Sequence, residues 1–214
     1  YCRTGHANLC ERAQKKPVRE GLLIGPGGLC DYVIVNTGYL FKIPDTLSYE
    51  EASLTEPLAC VVHSVTKANI QLGEDVVVIG GGIMGQYHVM LAKRRGARVI
   101  MSEVDESRRA LARKLGADIT FNPMEKDPVE YVKSLTEGRG ADVVFNTTAI
   151  PSVVPQAIAM TGKAGRMIQY SSMHPDAPAP VSPQMLHGNE PILTGSISPD
   201  VHDFFTANRL LSGG

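Results

Sequence analysis

The sequence predicts an α/β fold: a doubly wound, six-stranded parallel sheet with helices on both faces. Three observations carry this expectation. From residue 75 onward, short apolar runs alternate with helical segments. Those runs lack the polar alternation of a strand with one wet face, as strands covered on both sides do. A glycine cluster, Gly80-Gly81-Gly82-Ile83-Met84-Gly85, sits where the first run meets the first helix. Repeated strand–helix units close into a parallel sheet through right-handed crossovers.

The elements follow in order. Val76–Ile79 is the first strand, and a helix from Met84 to Arg95 stops at Gly96. Arg98–Met101 is the second strand, and Asp105 caps a helix through Leu111 that stops at Gly116. Ile119–Phe121, Asp142–Phe145, Arg166–Tyr170 and Ile192–Ser196 complete the six strands. Helices are expected over Val129–Leu135, 151–160 and 200–211. Ahead of this region the chain is turn-rich, with Gly21, Gly25, Pro26, Gly27 and Gly28. Tyr32–Val35 reads there as a short strand. Ser48 is placed to cap a helix over 49–53, and Pro57 suits the first turn of a helix carrying Val61, Val62 and Val65.

Composition narrows the function classes. The 214 residues are 43% hydrophobic and 20% charged, with a net charge of -1. That balance supplies no basic face for nucleic acid, and no run approaches the ~18 apolar residues of a membrane-spanning helix. Four cysteines in this length do not make a disulfide framework. Reduced thiols and a cytoplasmic setting are the expectation. The chain opens on Tyr1, so it is expected to begin inside a longer protein.

Gly80, Gly82 and Gly85 fit G-x-G-x-x-G, with Ile83 and Met84 between the last two. Gly80 allows the tight turn, Gly82 lets a diphosphate approach the backbone, and Gly85 lets the helix pack on the strand. The helix start supplies free N–H groups and the positive end of a dipole. Glu103 ends the second strand, 18 residues past Gly85. A carboxylate there accepts from the ribose hydroxyls of adenosine and repels a 2′-phosphate, which favours NAD over NADP. Arg108 and Arg109 pull the other way, because an arginine beside the site accommodates that phosphate. Glycines that serve packing alone are the bland alternative.

With these residues in view, the chain resembles the zinc-dependent medium-chain dehydrogenases of the alcohol, sorbitol and threonine branches. Tyr1-Cys2-Arg3-Thr4-Gly5-His6-Ala7-Asn8-Leu9-Cys10 is similar to the second half of the family's structural-zinc lobe, whose pattern is C-x2-C-x2-C-x7-C. Cys2 and Cys10 match its last two cysteines. Gly28–Pro44, Thr55–Cys60 with its Glu56-Pro57-Leu58, Leu115–Asp118 and Gly138–Asp142 match further family landmarks. The resemblance implies a remnant of a GroES-like catalytic domain over 1–57 and a Rossmann dinucleotide-binding domain over 58–214. It implies NAD-linked, zinc-assisted oxidation of a secondary alcohol in a polyol, sugar or hydroxy amino acid. It places Glu56 as a ligand or water-mediated neighbour of the catalytic zinc, and Cys2 and Cys10 on a structural zinc in the full-length parent. The family's remaining ligands lie upstream of Tyr1, so these 214 residues alone are expected to be inactive. A homodimer or homotetramer is implied, with Ile192–Ile197 as the contact. A zinc-free, NADPH-dependent quinone reductase and a non-catalytic nucleotide-binding module stand as alternatives.

Several residues have two readings. In this chain Cys2 and Cys10 read as surface thiols, since two thiolates do not close a four-coordinate site. Glu56 is otherwise a carboxylate favoured by a helix dipole. Cys60 and His63 follow it at helical spacing, so the three share a helix face and a zinc site made of them is one reading; Cys60 as a small buried residue and His63 as a packed or cleft-lining histidine is the simpler one. Cys30 reads as core. Thr147 and Thr148 follow the fourth strand at the carboxyl edge of the sheet, where ligands bind in open α/β folds; turn residues satisfying their own backbone are the alternative. The family uses this turn and Ser196-Ile197 to approach the nicotinamide, and Ser171 is a weaker candidate of the same kind. His88 is expected to face solvent or to be packed.

Overall fold

The computed structural model describes residues 1–11, 31–35 and 37–213, apart from the side chain of Cys2. The turn-rich segment with Gly21 to Gly28 and the core reading of Cys30 fall outside the described residues. The chain divides into two compact units, residues 60–197 and residues 1–59 with 198–214.

Within 60–197, six strands form one sheet: β1 (Asp75–Ile79), β2 (Arg98–Ser102), β3 (Ile119–Phe121), β4 (Ala141–Asn146), β5 (Thr161–Gln169) and β6 (Ile192–Gly195). Their order is β3-β2-β1-β4-β5-β6, and every pairing is parallel. This is the doubly wound arrangement expected, with the order reversing between β1 and β4.

The apolar runs are explained by two hydrophobic layers. Val76, Val78, Val99, Met101, Val143 and Phe145 pack on one face. Val77, Ile79, Ile100, Val144 and Met167 pack on the other. Successive side chains alternate across a strand, so both halves of each run are buried and no polar period survives. The first layer is covered by α2 (Thr55–Ala68) and α3 (Ile83–Arg94), through Val61, Val65, Val89 and Ala92. The second is covered by α5 (Pro128–Leu135) and α6 (Val153–Met160), through Val132, Ala157 and Met160.

The helix signals hold where a cap is written in the sequence. Asp105 accepts from the Arg108 amide at the start of α4 (Glu106–Lys114), and Asp127 accepts from Val129 and Glu130 at the start of α5. Three expectations need correction. Tyr32–Val35 is not a strand: among the described residues no strand pairs with it, and Ile34 is fully exposed, so strand-forming residue types alone do not make one here. β5 begins at Thr161 rather than Arg166; its glycine-interrupted start shows no apolar run, and its register shifts between Ala141 and Val143 of the neighbouring strand. A helix missing from the reading, α7 (Pro183–Asn189), is capped by Ser182 with proline in its first turn. That Ser-Pro pair was its signal.

In the other unit, α1 (Tyr49–Ala52) is closed by a capping box between Ser48 and Glu51. The expected last helix forms as α8 (Val201–Leu211), with a second such box between Asp200 and Asp203. Phe204 of α8 stacks on Phe41 at 6.1 Å, and Asn208 donates to the Lys42 carbonyl at 3.1 Å.

Ile100 lies on β2, between β3 and β1 in the sheet, and is fully buried. Ile100→Ala should therefore cost about 2–5 kcal/mol of unfolding free energy, measured as a shifted midpoint in urea at unchanged slope.

Candidate functional site

The site begins where β1 ends. The Gly80 amide donates to the Ser102 carbonyl at 2.9 Å, carrying the parallel ladder one residue past the strand. The chain then turns at Gly80, whose φ is 98°, a left-handed value open to glycine without cost. Gly85 comes next to it in space: a Cβ there would stand 1.9 Å from the Gly80 carbonyl oxygen. Only a residue without a side chain lets α3 sit this close to the strand end. Gly82 differs, since a Cβ on it would meet nothing within 4 Å. It is the N-cap of α3 and offers no side chain to the amides of the first turn, which leaves them for an external acceptor.

Around this open face lies a crevice of about 330 Å³, lined by Gly80, Gly81 and Gly82, by Glu103, Val104 and Arg108, and by Thr147, Thr148 and Ile150. It sits at the carboxyl ends of β1, β2 and β4, where the strand order reverses and open α/β sheets bind ligands. Glu103 is buried, with both carboxylate oxygens held: Oε2 accepts from the Gly81 amide at 2.5 Å and Oε1 from the Asp105 amide at 2.9 Å. Arg108 has a side chain 57% exposed and reaches to 4.0 Å from Glu103.

The structure separates the two arginines that the sequence left together. Arg109 is buried, donates to the carbonyls of Glu103 and Val104, and pairs with Glu106 at 2.6 Å. It braces the end of β2, and Arg108 alone faces the crevice. The threonines brace the glycine turn. Thr147 Oγ1 donates to Ile79 O at 2.8 Å and lies 3.2 Å from Gly80 O, while the Thr148 amide and hydroxyl donate to Asn146 Oδ1.

None of the other described candidates is among the residues that line this crevice. Ser171 lines a second cavity of about 560 Å³ with Met173, Val181 and Leu193. Ser196 is buried and Ile197 exposed past the end of β6. Ile83 is exposed, and Met84 accepts a hydrogen bond at Sδ from the Tyr170 hydroxyl at 3.3 Å. Glu56 is exposed in the first turn of α2, and Cys10 is half-buried. Among the described residues no three His, Cys, Asp or Glu side chains come together in a way that could hold a metal ion. These residues therefore do not fit a zinc ion by themselves. Nor is any described helix long and apolar enough to cross a membrane.

One residue behind the crevice escaped the sequence reading, and the two readings of a second are now decided. Gln86, on α3, donates to the Gly81 and Arg108 carbonyls; a lone glutamine within a helix gives no pattern to read. His88 is packed rather than solvent-facing. Its ring lies 4.6 Å from that of Phe145 and 4.7 Å from that of Tyr170. Nδ1 faces the Met84 carbonyl at 2.8 Å and must carry the proton; Nε2 then accepts from the Ser64 hydroxyl at 3.0 Å.

A glycine turn, a bare helix start and a fixed carboxylate at a topological switch point define a doubly wound α/β protein with an open crevice where such folds receive their ligands. Comparison with known proteins is more specific. The zinc-binding dehydrogenase family model matches residues 84–213, and the chain belongs to that family. D-arabitol-phosphate dehydrogenase of Enterococcus avium is 32% identical across 100% of the chain and 60% of its own length. L-threonine 3-dehydrogenase of Caldanaerobacter subterraneus is 36% identical over 78% of the chain and 46% of its own. A protein from Sinorhizobium meliloti described as a zinc-binding dehydrogenase, solved bound to NADP, superposes with a TM-score of 0.76. It is 31% identical, covering 81% of this chain and 52% of that one. The chain thus spans about 46 to 60% of the length of these curated relatives.

Burial holds the His88 imidazole neutral and pushes its pKa down to about 4, against the partial compensation of the Met84 carbonyl. The unfolded chain binds a proton at this residue below its ordinary value near 6.5, while the folded chain does not until about 4. The contribution of His88 to stability should accordingly fall by about 3 kcal/mol as pH drops from 6.5 to 4. His88→Gln should flatten that fall, read from urea midpoints at each pH.

Proposed function

We propose that the chain binds NAD(H) in the glycine-loop crevice and serves a parent enzyme that oxidises a secondary alcohol of a polyol, sugar or hydroxy amino acid to a ketone. The observation that carries this reading is the open face of Gly82 at an uncapped helix start, with Glu103 fixed on the same crevice wall. The diphosphate would lie against the amides of Ile83, Met84 and Gly85. The ribose hydroxyls would donate to the Glu103 carboxylate, and the apolar flanks of Val104 and Ile150 would face the adenine. Thr147 and Thr148, Ser171, and Ser196 with Ile197 follow β4, β5 and β6 in turn, and would orient the nicotinamide half and keep water from it. A nicotinamide bound there would supply the acceptor for a hydride from the carbinol carbon, the hydroxyl proton leaving to solvent.

The names of the polyol and threonine relatives support the alcohol class. Glu56, Cys2 and Cys10 are the chain's proposed contributions to zinc sites of the parent, whose other ligands the described residues do not supply. Among the described residues β6 has a neighbour on one side only, and Ile192 and Ile197 are exposed at its ends, which supports Ile192–Ile197 as a contact between copies. One observation favours a second reading, NADP use: Arg108 is exposed beside Glu103, and the Sinorhizobium protein was solved with that nucleotide.

Calorimetric titration of the full chain separates these readings. NAD should bind about tenfold or more tighter than NADP, a difference of ~1.4 kcal/mol. NADP as the tighter ligand would select the second reading, and no heat with either would overturn both. Two glycine variants test the geometry. Gly82→Val should keep the melting temperature and lose NAD binding, because its side chain enters only the space kept for the diphosphate. Gly85→Ala should lower the melting temperature as well, because its methyl group meets the Gly80 carbonyl.

A further inference from the structure

We propose that Gln86 is a positioning residue that sets the choice between the 2′-hydroxyl and 2′-phosphate forms of the dinucleotide. It does so by clamping the Gly81 peptide against Glu103 and holding the turn that presents Arg108. The proposal rests on the nucleotide-binding reading above.

Gln86 is buried on α3, one residue past Gly85. Its Nε2 donates to Gly81 O at 2.9 Å and to Arg108 O at 3.0 Å. Two carbonyl acceptors admit only the –NH2 end of the amide, so the orientation of the side chain is decided by its partners. Gly81 is thereby restrained on both sides. Its carbonyl is held by Gln86, and its amide donates to Glu103 Oε2. A Cβ on Gly81 would stand 2.8 Å from Glu103 Cγ, so the loop backbone and the acid already pack in contact.

The second bond of Gln86 ends on the first turn of α4. That turn carries the exposed Arg108 guanidinium, 4.0 Å from Glu103. One buried amide thus ties together the glycine loop, the carboxylate that would accept a 2′-hydroxyl, and the cation that would pair with a 2′-phosphate. The spacing of those two opposite charges at one sugar position decides which nucleotide is favoured.

The other end of the side chain points to the same conclusion. Gln86 Oε1 is buried without a hydrogen-bond partner. An orphaned buried oxygen is destabilising, and an apolar side chain of similar length would carry none. Packing alone does not account for an amide here, whereas its two donated bonds do.

Calorimetry on the full chain with NAD and with NADP tests this, read as the ratio of Kd for NADP to Kd for NAD. The wild type is compared with Gln86→Met, Gln86→Ala and Glu103→Ala; the alanine variant keeps the test intact should methionine disturb packing. Both Gln86 variants should lower the ratio about fivefold or more, toward that of Glu103→Ala, the size of a coupled contact. Adding Gln86→Met to Glu103→Ala should lower it no further. A ratio unchanged in both Gln86 variants overturns the proposal, including the case where both affinities weaken together, which is what a purely structural role produces. A wild-type ratio near one also overturns it, since nothing is then being set. Absence of binding by the wild type refutes the nucleotide reading itself. Wild-type binding with a Glu103-dependent ratio that ignores Gln86 refutes only the present inference.

Discussion

The close approach of α3 to the end of β1 is the constraint on which the rest of the site depends. The Gly80 carbonyl would be 1.9 Å from any Cβ at position 85, a separation no pair of non-bonded heavy atoms tolerates. With a side chain at 85, α3 would have to lift or tilt, and the first-turn amides would leave the level of the crevice. The helix would also withdraw Val89 and Ala92 from the layer they share with Val76 and Val78. Seating and packing are therefore one requirement: the buried face of α3 stabilises the position that keeps its first turn at the mouth of the crevice. Thr147 braces the same turn from the β4 side, through its hydroxyl bond to Ile79 O. The bracing reaches across the point where the strand order reverses, because β1 and β4 are neighbours in the sheet while α3, β2, α4, β3 and α5 intervene in the chain.

Stability is distributed unevenly around this centre. The sheet's two faces are dry: β1 is buried along its whole length and β4 at every residue but Asp142. The crevice, by contrast, is walled by groups already engaged within the protein: Glu103 and Thr147 bond to the backbone, and Thr148 to the Asn146 side chain. A site built this way is organised before a ligand arrives, and binding need not supply the ordering of those side chains. His88 adds a polar contact to the otherwise apolar layer between α2, α3 and β4. Its neutral ring joins Ser64 of α2 to the carbonyl of Met84 in the first turn of α3.

Much of this was legible in the residues, for identifiable reasons. The strand–helix alternation could be read because parallel strands covered on both faces remove every polar residue from runs such as Val76–Ile79. Helices could be bounded where a side chain performs the capping, as at Asp105 and Ser48. The reading failed where the decisive term was non-local. Tyr32–Val35 has strand-forming residues, yet strand formation needs a neighbour that the local sequence does not encode. The early start of β5 depends on pairing with β4 rather than on its own glycine-rich composition. Within the site, the glycines and Glu103 were readable because their spacing is imposed by a turn and one strand length. Gln86 was not, because its partners at Gly81 and Arg108 are backbone carbonyls, which leave no trace in residue identity.

The two arginines show how far spacing can take an electrostatic argument. Arg108 and Arg109 are adjacent in the chain, and both were candidates to accommodate a phosphate. Consecutive residues on a helix point about 100° apart, so one of them must turn away from any given neighbour. Arg109 turns into the protein, where its guanidinium is consumed by two carbonyls and Glu106. Arg108 stays largely in solvent, and it comes no nearer than 4.0 Å to the buried Glu103 carboxylate. The arginine is therefore free to move toward or away from a ligand at little cost, whereas the carboxylate, held by two amides, is not. On the reading proposed above, the immobile group sets the preference at the ribose and the mobile one modulates it. A 2′-phosphate would have to overcome a fixed negative charge that cannot withdraw without breaking both of its amide bonds.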